Sequence, residues 1–176
     1  MKKSVLKVQM FGAYSIEYEG KPISFERNTA TKTNQLMQIL LQAGEKGVTR
    51  AKLLSDLFGD EEMSNPANSL RATVFRLRRL LAATGLPEDE YVTIKGGSYY
   101  WTSGIPYELD AHQFEELLKK AEKENDLEKK KSYIEEACEL YRGEFLPQTC
   151  AEGWAVVLNV YYKNLFQMPC AHYARF

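Results

Sequence analysis

The N-terminal stretch alternates apolar with polar positions, a pattern typical of β-strands that bury one face. The first three short runs of this kind are "VLKVQMF", "YSIEY" and "PISF", separated by Gly12 and "EGKP". All three are rich in the β-branched and aromatic residues that favour strands. We therefore expect an N-terminal antiparallel sheet.

Apolar positions after residue 28 recur at the spacing of α-helices. A first helix is predicted in "TATKTNQLMQILLQAG", where the final glycine marks its end. A second, short helix is predicted in "GVTRAKLLSDLFGD", with Thr49 as its N-cap. A third is predicted at 66–83, because Asn65 is placed as an N-cap and Pro66 stands at the first helical position.

The third predicted helix has two faces of different chemistry. At about 100° per residue its large aliphatic residues share one arc, which we expect to pack on the first two helices. These residues are Leu70, Val74, Leu77, Leu80 and Leu81. The opposite arc carries Asn68, Ala72, Phe75, Arg76 and Arg79, and one flank carries Arg71 and Arg78.

The arginine-rich arc suits an anionic partner, because the stretch from Ser69 to Leu81 holds four arginines and no acid. The planar guanidinium can donate two hydrogen bonds to phosphate oxygens or to the edge of guanine. The alternative is a solvated face whose arginines pair with acids elsewhere in the protein. The helix by itself leaves both interpretations open.

The segment "YVTIKGGSYYW", at 91–101, predicts a hairpin with a basic residue at its tip. Two β-rich runs flank Lys95-Gly96-Gly97-Ser98. The two glycines could instead cradle a phosphate, but no helix N-terminus follows to complete such a site. Three helices followed by a hairpin predict a winged helix-turn-helix.

Charge is distributed unevenly along the 176 residues, although the net charge is only −1. Residues 1–105 carry 14 basic and 11 acidic residues, whereas residues 106–176 carry 9 and 13. No acid occurs between Glu62 and Glu88. This asymmetry indicates an anionic partner for the first half. We place the domain boundary after residue 105, which gives a winged-helix domain at 1–105 and a helical domain at 106–176.

The second half reads as paired helices of the kind that tetratricopeptide-like (TPR-like) repeats stack. Two apolar stripes at helical spacing flank the polar turn "EKEND". They are Leu109, Phe114, Leu117, Leu118 and Ala121, then Tyr133, Ile134, Ala137, Cys138 and Tyr141. A following helix has a predicted stripe of Trp154, Val157, Leu158, Tyr161 and Leu165, with further apolar residues outside it. We expect a second copy or the winged-helix half to cover that helix.

Few residues of this chain are candidates for catalysis. His112 and His172 are the two histidines, and Cys170-x-His172 lacks the second pair that a zinc site needs. No catalytic residue, metal, cofactor or small-molecule ligand is therefore predicted. No run of about 18 apolar residues and no signal-peptide pattern occurs, so we expect a cytoplasmic protein without membrane contact. Three scattered cysteines fit reduced thiols.

The order of elements resembles the OmpR/PhoB-type winged-helix domains of bacterial transcription regulators. The resemblance rests on "NSLRATVFRLRRLL" followed by "VTIKGGSYYW" and covers about residues 4–102. The stretches "ELDAHQFEELLKKA" and "ELYRGEFLPQ", with Trp154 beyond, are similar to the start of the bacterial transcriptional activator domain. That pairing characterises the SARP family of antibiotic-pathway regulators and its relatives.

The resemblance implies where DNA contacts would fall. On the helix it implies Asn68, Ala72, Arg76 and Arg78, and on the wing Thr93, Lys95 and Tyr99. With the arginines of the outward arc and a neighbouring threonine, the full candidate set is Asn68, Arg71, Ala72, Thr73, Arg76, Arg78, Arg79, Thr93, Lys95 and Tyr99. This sequence departs from the family pattern at Phe75, where a basic residue or histidine is usual, and at Lys95, where arginine is frequent.

The predicted function is sequence-specific binding of double-stranded DNA by a transcriptional activator, with 66–83 in the major groove and 91–101 in the minor groove. RNA polymerase and a second copy of the chain are the candidate protein partners. The alternative is a protein-interaction adaptor built on the helical half, in which the winged helix serves a structural role.

Overall fold

A computed structural model describes residues 4–24, 30–59, 61–62 and 64–173. The chain divides into two compact units, described separately below. Unit 1 comprises Met1–Leu6 and Ile16–Pro106, and unit 2 comprises Lys7–Ser15 and Tyr107–Phe176. Unit 2 therefore includes a piece of the N-terminal segment, whereas the domain boundary predicted from the sequence keeps all of residues 1–105 together.

The elements alternate between strands and helices in the first part of the chain and are mostly helical in the last. The strands are β1 (Leu6–Gln9), β2 (Ser15–Tyr18), β3 (Lys21–Ile23), β4 (Val48–Thr49), β5 (Val92–Lys95), β6 (Ser98–Trp101) and β7 (Tyr107–Leu109). The helices are α1 (Lys32–Ala43), α2 (Arg50–Phe58), α3 (Pro66–Ala82), α4 (Asp110–Lys123), α5 (Leu127–Leu140) and α6 (Gly153–Tyr173).

Unit 1 is built on the predicted helices, and their capping residues are confirmed. The Thr49 hydroxyl accepts a hydrogen bond from the backbone N–H of Lys52 at the start of α2. The Asn65 side chain likewise accepts from the backbone N–H of Asn68, and Pro66 opens α3. Such caps satisfy N–H groups that a helix start leaves without partners.

The three helices of unit 1 contact one another and bury the predicted apolar faces. Every member of the aliphatic arc of α3 is buried apart from the half-buried Leu80. Leu36 and Leu40 of α1 and Leu53 and Leu57 of α2 are buried as well. Because this packing fixes which side of α3 faces inward, it also fixes which side faces outward.

Strands of unit 1 form the predicted hairpins. β2 pairs antiparallel with β3, with Ile16 opposite Ile23. Phe25, which the sequence places at the end of the third strand, lies outside the described residues. β5 pairs antiparallel with β6 from Val92 opposite Trp101 to Lys95 opposite Ser98.

The turn of the β5–β6 hairpin is made by Gly96 and Gly97, both at positive φ (58° and 77°), the backbone conformation that tight two-residue hairpin turns need. β4 adds to the other side of β6, a pairing that the sequence did not predict. The β5–β6 hairpin, residues 92–101, is called the wing below.

Unit 2 is organised around Phe11, a residue that precedes most of the unit in sequence. Its ring centroid lies 5.5 Å from that of Phe114, 4.9 Å from Tyr141 and 5.1 Å from Tyr162. Backbone hydrogen bonds from Gly12 N to Glu144 O and from Leu146 N to Met10 O fix the segment there. The predicted helical hairpin is present, since α4 contacts α5 and α5 contacts α6. β1 lies beside β7.

The carboxylate of Asp110 ties the same segment to the first turn of α4. It accepts hydrogen bonds from Met10 N at 2.9 Å and from Phe11 N at 3.0 Å. Burial raises the pKa of Asp110, although these backbone hydrogen bonds, that of Ala111 and the charge of Arg142 act in the other direction.

Two expectations about unit 2 hold only in part. Trp154 of the predicted α6 stripe is buried and Leu158 and Leu165 are half-buried, but Val157 and Tyr161 are exposed. Ala155 and Tyr162, outside the stripe, are buried. The predicted stripe and the buried side of α6 do not coincide, because apolar residues occur on most sides of this helix and their spacing does not select one side.

The cysteines of unit 2 also differ from the expectation of reduced thiols. Cys138 is disulfide-bonded, whereas Cys150 is free. Within the described residues, no helix is both long and apolar enough for a membrane crossing.

Candidate nucleic-acid interface

The outward face of α3 carries cations, an amide and one aromatic ring, and its sequence contains no acid. Asn68, Arg71, Arg76 and Arg79 are exposed, and Ala72 is half-buried. Within the part of the chain that the structure describes, no ion pair involves Arg71, Arg76 or Arg79. Three guanidinium groups are therefore available to an anionic partner on one helix face.

Phe75 lies among these cations with 61% of its surface exposed. The guanidinium carbon of Arg79, one helical turn later, lies 5.8 Å from the centroid of the Phe75 ring. This distance is within the range in which a cation is attracted to an aromatic face. The ring and the guanidinium therefore form one ordered feature of the surface.

Arg78 differs from the other arginines of α3 because it is engaged within unit 1. Its Nη2 donates a hydrogen bond of 2.8 Å to the carbonyl oxygen of Val92 and lies 3.9 Å from Glu90 Oε1. The side chain thus connects α3 to the first strand of the wing. The alternative of an internally paired arginine holds for this residue, and the side chain remains partly exposed.

Two residues of the candidate set are not on the surface. Thr73 is 1% exposed, and its hydroxyl donates to the carbonyl oxygen of Ser69 at 2.8 Å. Tyr99 is 6% exposed and lies opposite Val48 and Ile94 between two strands. Both side chains belong to the interior of unit 1, so the structure does not bring them to a DNA-facing surface.

The wing presents a small, mixed surface. Lys95 is exposed at the end of β5, directly before the glycine turn, and Thr93 is half-buried. Ile94, between them, is 48% exposed. An exposed lysine on a narrow two-stranded projection suits contact with phosphate or with a groove.

Asp89 fixes the base of the wing, a role that its place in "PEDE" did not indicate. Its carboxylate accepts from the backbone N–H of Gly104 at 2.6 Å, from Glu90 N at 2.8 Å and from the Ser103 hydroxyl at 3.3 Å. The hydrogen bonds from Gly104 and then Glu90 lower the pKa of Asp89, with a smaller contribution from Ser103. The carboxylate thereby joins the segments that enter and leave the hairpin.

Within the described part of the chain, no group of three or more His, Cys, Asp or Glu side chains is arranged to hold an ion.

A known protein family matches the part of the chain that contains α3 and the wing. Residues 26–101 match the family described as "Transcriptional regulatory protein, C terminal". This match confirms the resemblance of the first half to OmpR/PhoB-type winged-helix domains. No curated protein matches the chain.

A solved structure shares the fold over most of the chain. Mycobacterium tuberculosis EmbR in complex with a low affinity phosphopeptide is similar with a TM-score of 0.73 and 15% identity. The similarity covers 93% of this chain and 43% of EmbR, so this chain spans less than half the length of that protein. The likeness confirms the predicted fold, a winged helix followed by a helical segment.

Proposed function

We propose that this chain, whose residues 26–101 match the family described as "Transcriptional regulatory protein, C terminal", is a sequence-specific DNA-binding regulator of transcription. The observation that carries the proposal is the acid-free outward face of α3, with Arg71, Arg76 and Arg79 exposed and outside any ion pair in the described chain. Duplex DNA offers the phosphates and base edges that such a face can bind.

The proposed mode places α3, predicted as 66–83, in the major groove and the wing hairpin, predicted as 91–101, against the adjacent minor groove. An α-helix has the diameter to enter the major groove, and Arg76 can then donate two hydrogen bonds to guanine O6 and N7. Lys95 at the wing tip would approach the negative potential of a narrow minor groove. Arg71 would contact phosphate, which positions the domain without reading sequence.

A binding-site selection experiment tests this function most directly. Random duplexes are bound to the full chain, and enriched sequences are compared with those enriched by Arg76→Ala. The wild type is expected to enrich one motif, and the variant to lose base preference at one or two positions at a cost of about 1–3 kcal/mol on the wild-type site. An unenriched pool would overturn the proposal.

A matched control separates base reading from general charge. Lys163→Ala removes one exposed cation from unit 2 and is expected to enrich the same motif as the wild type. If Arg76→Ala also enriches the unchanged motif, Arg76 does not read bases, although the DNA-binding function survives.

A second function is favoured by the surface of α6. Val156, Val157, Val160 and Tyr161 are between 43% and 68% exposed, which is unusual for apolar residues grouped on one helix. We propose that the helical half contacts another protein, with RNA polymerase as the partner of an activator and a second copy of this chain as the alternative. Sedimentation at about tens of micromolar tests the second of these, because a dimer supports self-association and a monomer at that concentration contradicts it.

A further inference from the structure

Phe75 occupies the centre of the outward face of α3. Residues spaced by three or four along a helix line up on one side, and Asn68, Ala72, Phe75 and Arg79 form such a line. That line lies opposite the buried Leu70 and the residues in phase with it. The middle of an exposed helix face projects furthest toward a partner, and here it bears a ring that is 61% exposed.

Arg79 lies beside the ring, with its guanidinium carbon 5.8 Å from the ring centroid. The remaining surface of the ring is hydrocarbon and can neither donate nor accept an ordinary hydrogen bond. An apolar ligand group can therefore meet that surface without losing a hydrogen bond.

We propose that Phe75 is a specificity-determining residue that contacts the C5 methyl group of thymine in the major groove, an inference that rests on the DNA-binding function proposed above. Each base pair presents hydrogen-bonding groups in that groove, and thymine alone adds a methyl group. A phenyl ring against the amino group of cytosine or adenine would remove water from a polar group and offer no partner in return. Phe75 thus selects thymine both by attraction and by exclusion.

The test removes the methyl group and nothing else. A duplex selected by the wild-type chain is prepared with each thymine replaced in turn by deoxyuridine, and dissociation constants are measured by fluorescence anisotropy. At one position the wild type is expected to bind about fourfold more weakly without the methyl group, the factor that corresponds to about 0.8 kcal/mol for one buried apolar carbon.

The variant Phe75→Ala should bind the thymine duplex about fourfold more weakly than the wild type and should not distinguish thymine from deoxyuridine at that position. Phe75→Leu, which retains an apolar side chain, should keep part of the discrimination. Leu127→Ala is the matched control, since it removes a 76% exposed apolar side chain from unit 2 and should keep the full fourfold effect.

The outcomes separate this inference from the proposed function. If the wild type binds selected duplex with strong salt dependence but no deoxyuridine substitution matters, the role of Phe75 is overturned and DNA binding stands. Discrimination that persists in Phe75→Ala also overturns it, because another side chain then reads the methyl group. If the wild type binds no duplex at any salt concentration, both ideas are overturned together.

Discussion

At the scale of single residues, the arginines of α3 divide into two kinds. Arg76 is exposed and outside any ion pair in the described chain, whereas Arg78 donates to the carbonyl oxygen of Val92. A guanidinium that already holds a backbone carbonyl contributes to stability as well as to any contact with phosphate. Mutation should therefore separate the two residues by their effects on folding.

Arg78→Ala is expected to lower the free energy of unfolding by about 1 kcal/mol, the usual value for a hydrogen bond after allowance for partial exposure. Urea denaturation measures this change. Arg71→Ala, which removes an exposed arginine of the same helix, should change stability by less than about 0.5 kcal/mol. Equal effects of the two variants would mean that the contact to Val92 O contributes nothing.

Asp110→Asn tests the attachment of residues 10 and 11 to α4. Asn has one carbonyl oxygen where Asp110 has two, so one of the N–H groups of Met10 and Phe11 loses its acceptor inside unit 2. The expected cost is about 1–3 kcal/mol in the free energy of unfolding. Unchanged stability, measured at the same pH, would show that the segment is held by Phe11 packing alone.

Eight of the ten candidate DNA contacts are exposed or half-buried, and periodicity explains why the other two, Thr73 and Tyr99, are buried. Thr73 lies about 60° from Leu70 on the helical wheel, which is close enough to the buried arc to be drawn inside. Tyr99 shares a strand face with Trp101, and that face is buried. The family resemblance implied that Tyr99 contacts DNA, but it did not indicate that the side chain is buried. Burial depends on which face of the wing packs inward.

At the scale of elements, the wing is supported by contacts that local sequence patterns do not encode. β4 pairs with β6 across about 50 residues of sequence, and Val48 faces Tyr99 there. Gly47, just before β4, has φ of 64°, and a methyl group added to it would meet the ring of Tyr100 at 2.4 Å. Two-residue strands and close approaches of this kind carry no periodic signal, so only the folded chain reveals them.

The base of the wing should weaken in acid. The pKa of Asp89 is lowered in the folded state, so the stabilisation it provides is present above its ordinary value of 3.8 and is lost as pH falls through the folded value. Thermal unfolding followed from pH 6 to pH 2 should show a smaller loss for Asp89→Asn than for the wild type. Parallel curves for the two proteins would contradict this role.

The wing tip should matter for binding but not for folding. Lys95→Ala removes an exposed cation, so the melting temperature should stay within about 3 °C of the wild type while the salt slope of DNA binding falls by about one. The loss of affinity should be larger on sites with an A·T-rich, narrow minor groove beside the major-groove contact. A variant that binds such sites as well as the wild type does would show that the hairpin is only a structural edge.

At the scale of the whole molecule, the order of elements and the chemistry of the outward face of α3 could be predicted from the sequence, because both depend on local periodicity and charge. The sequence did not predict that residues 7–15 cluster with the helical unit. The strand pattern of "VLKVQMF" identifies a strand but not its neighbours, and Phe11 finds its aromatic partners about 100 or more residues later. Such long-range choices depend on packing that no window of sequence contains.

The central claim, that the outward face of α3 and the wing bind DNA phosphates and bases, is tested most directly by the salt dependence of duplex binding. If Arg71, Arg79 and Lys95 each neutralise one phosphate charge, the logarithm of the affinity should fall with the logarithm of salt concentration at a slope of about −2.7 or steeper. The measurement compares the wild type with two triple variants. One replaces Arg71, Arg79 and Lys95 by Gln, and the control replaces the exposed Lys123, Lys129 and Lys163 of unit 2 by Gln. The account predicts that the first variant loses about 2.7 of the slope and that the control keeps the wild-type value. A control that loses as much slope as the first variant, or a wild-type slope near zero, would contradict it.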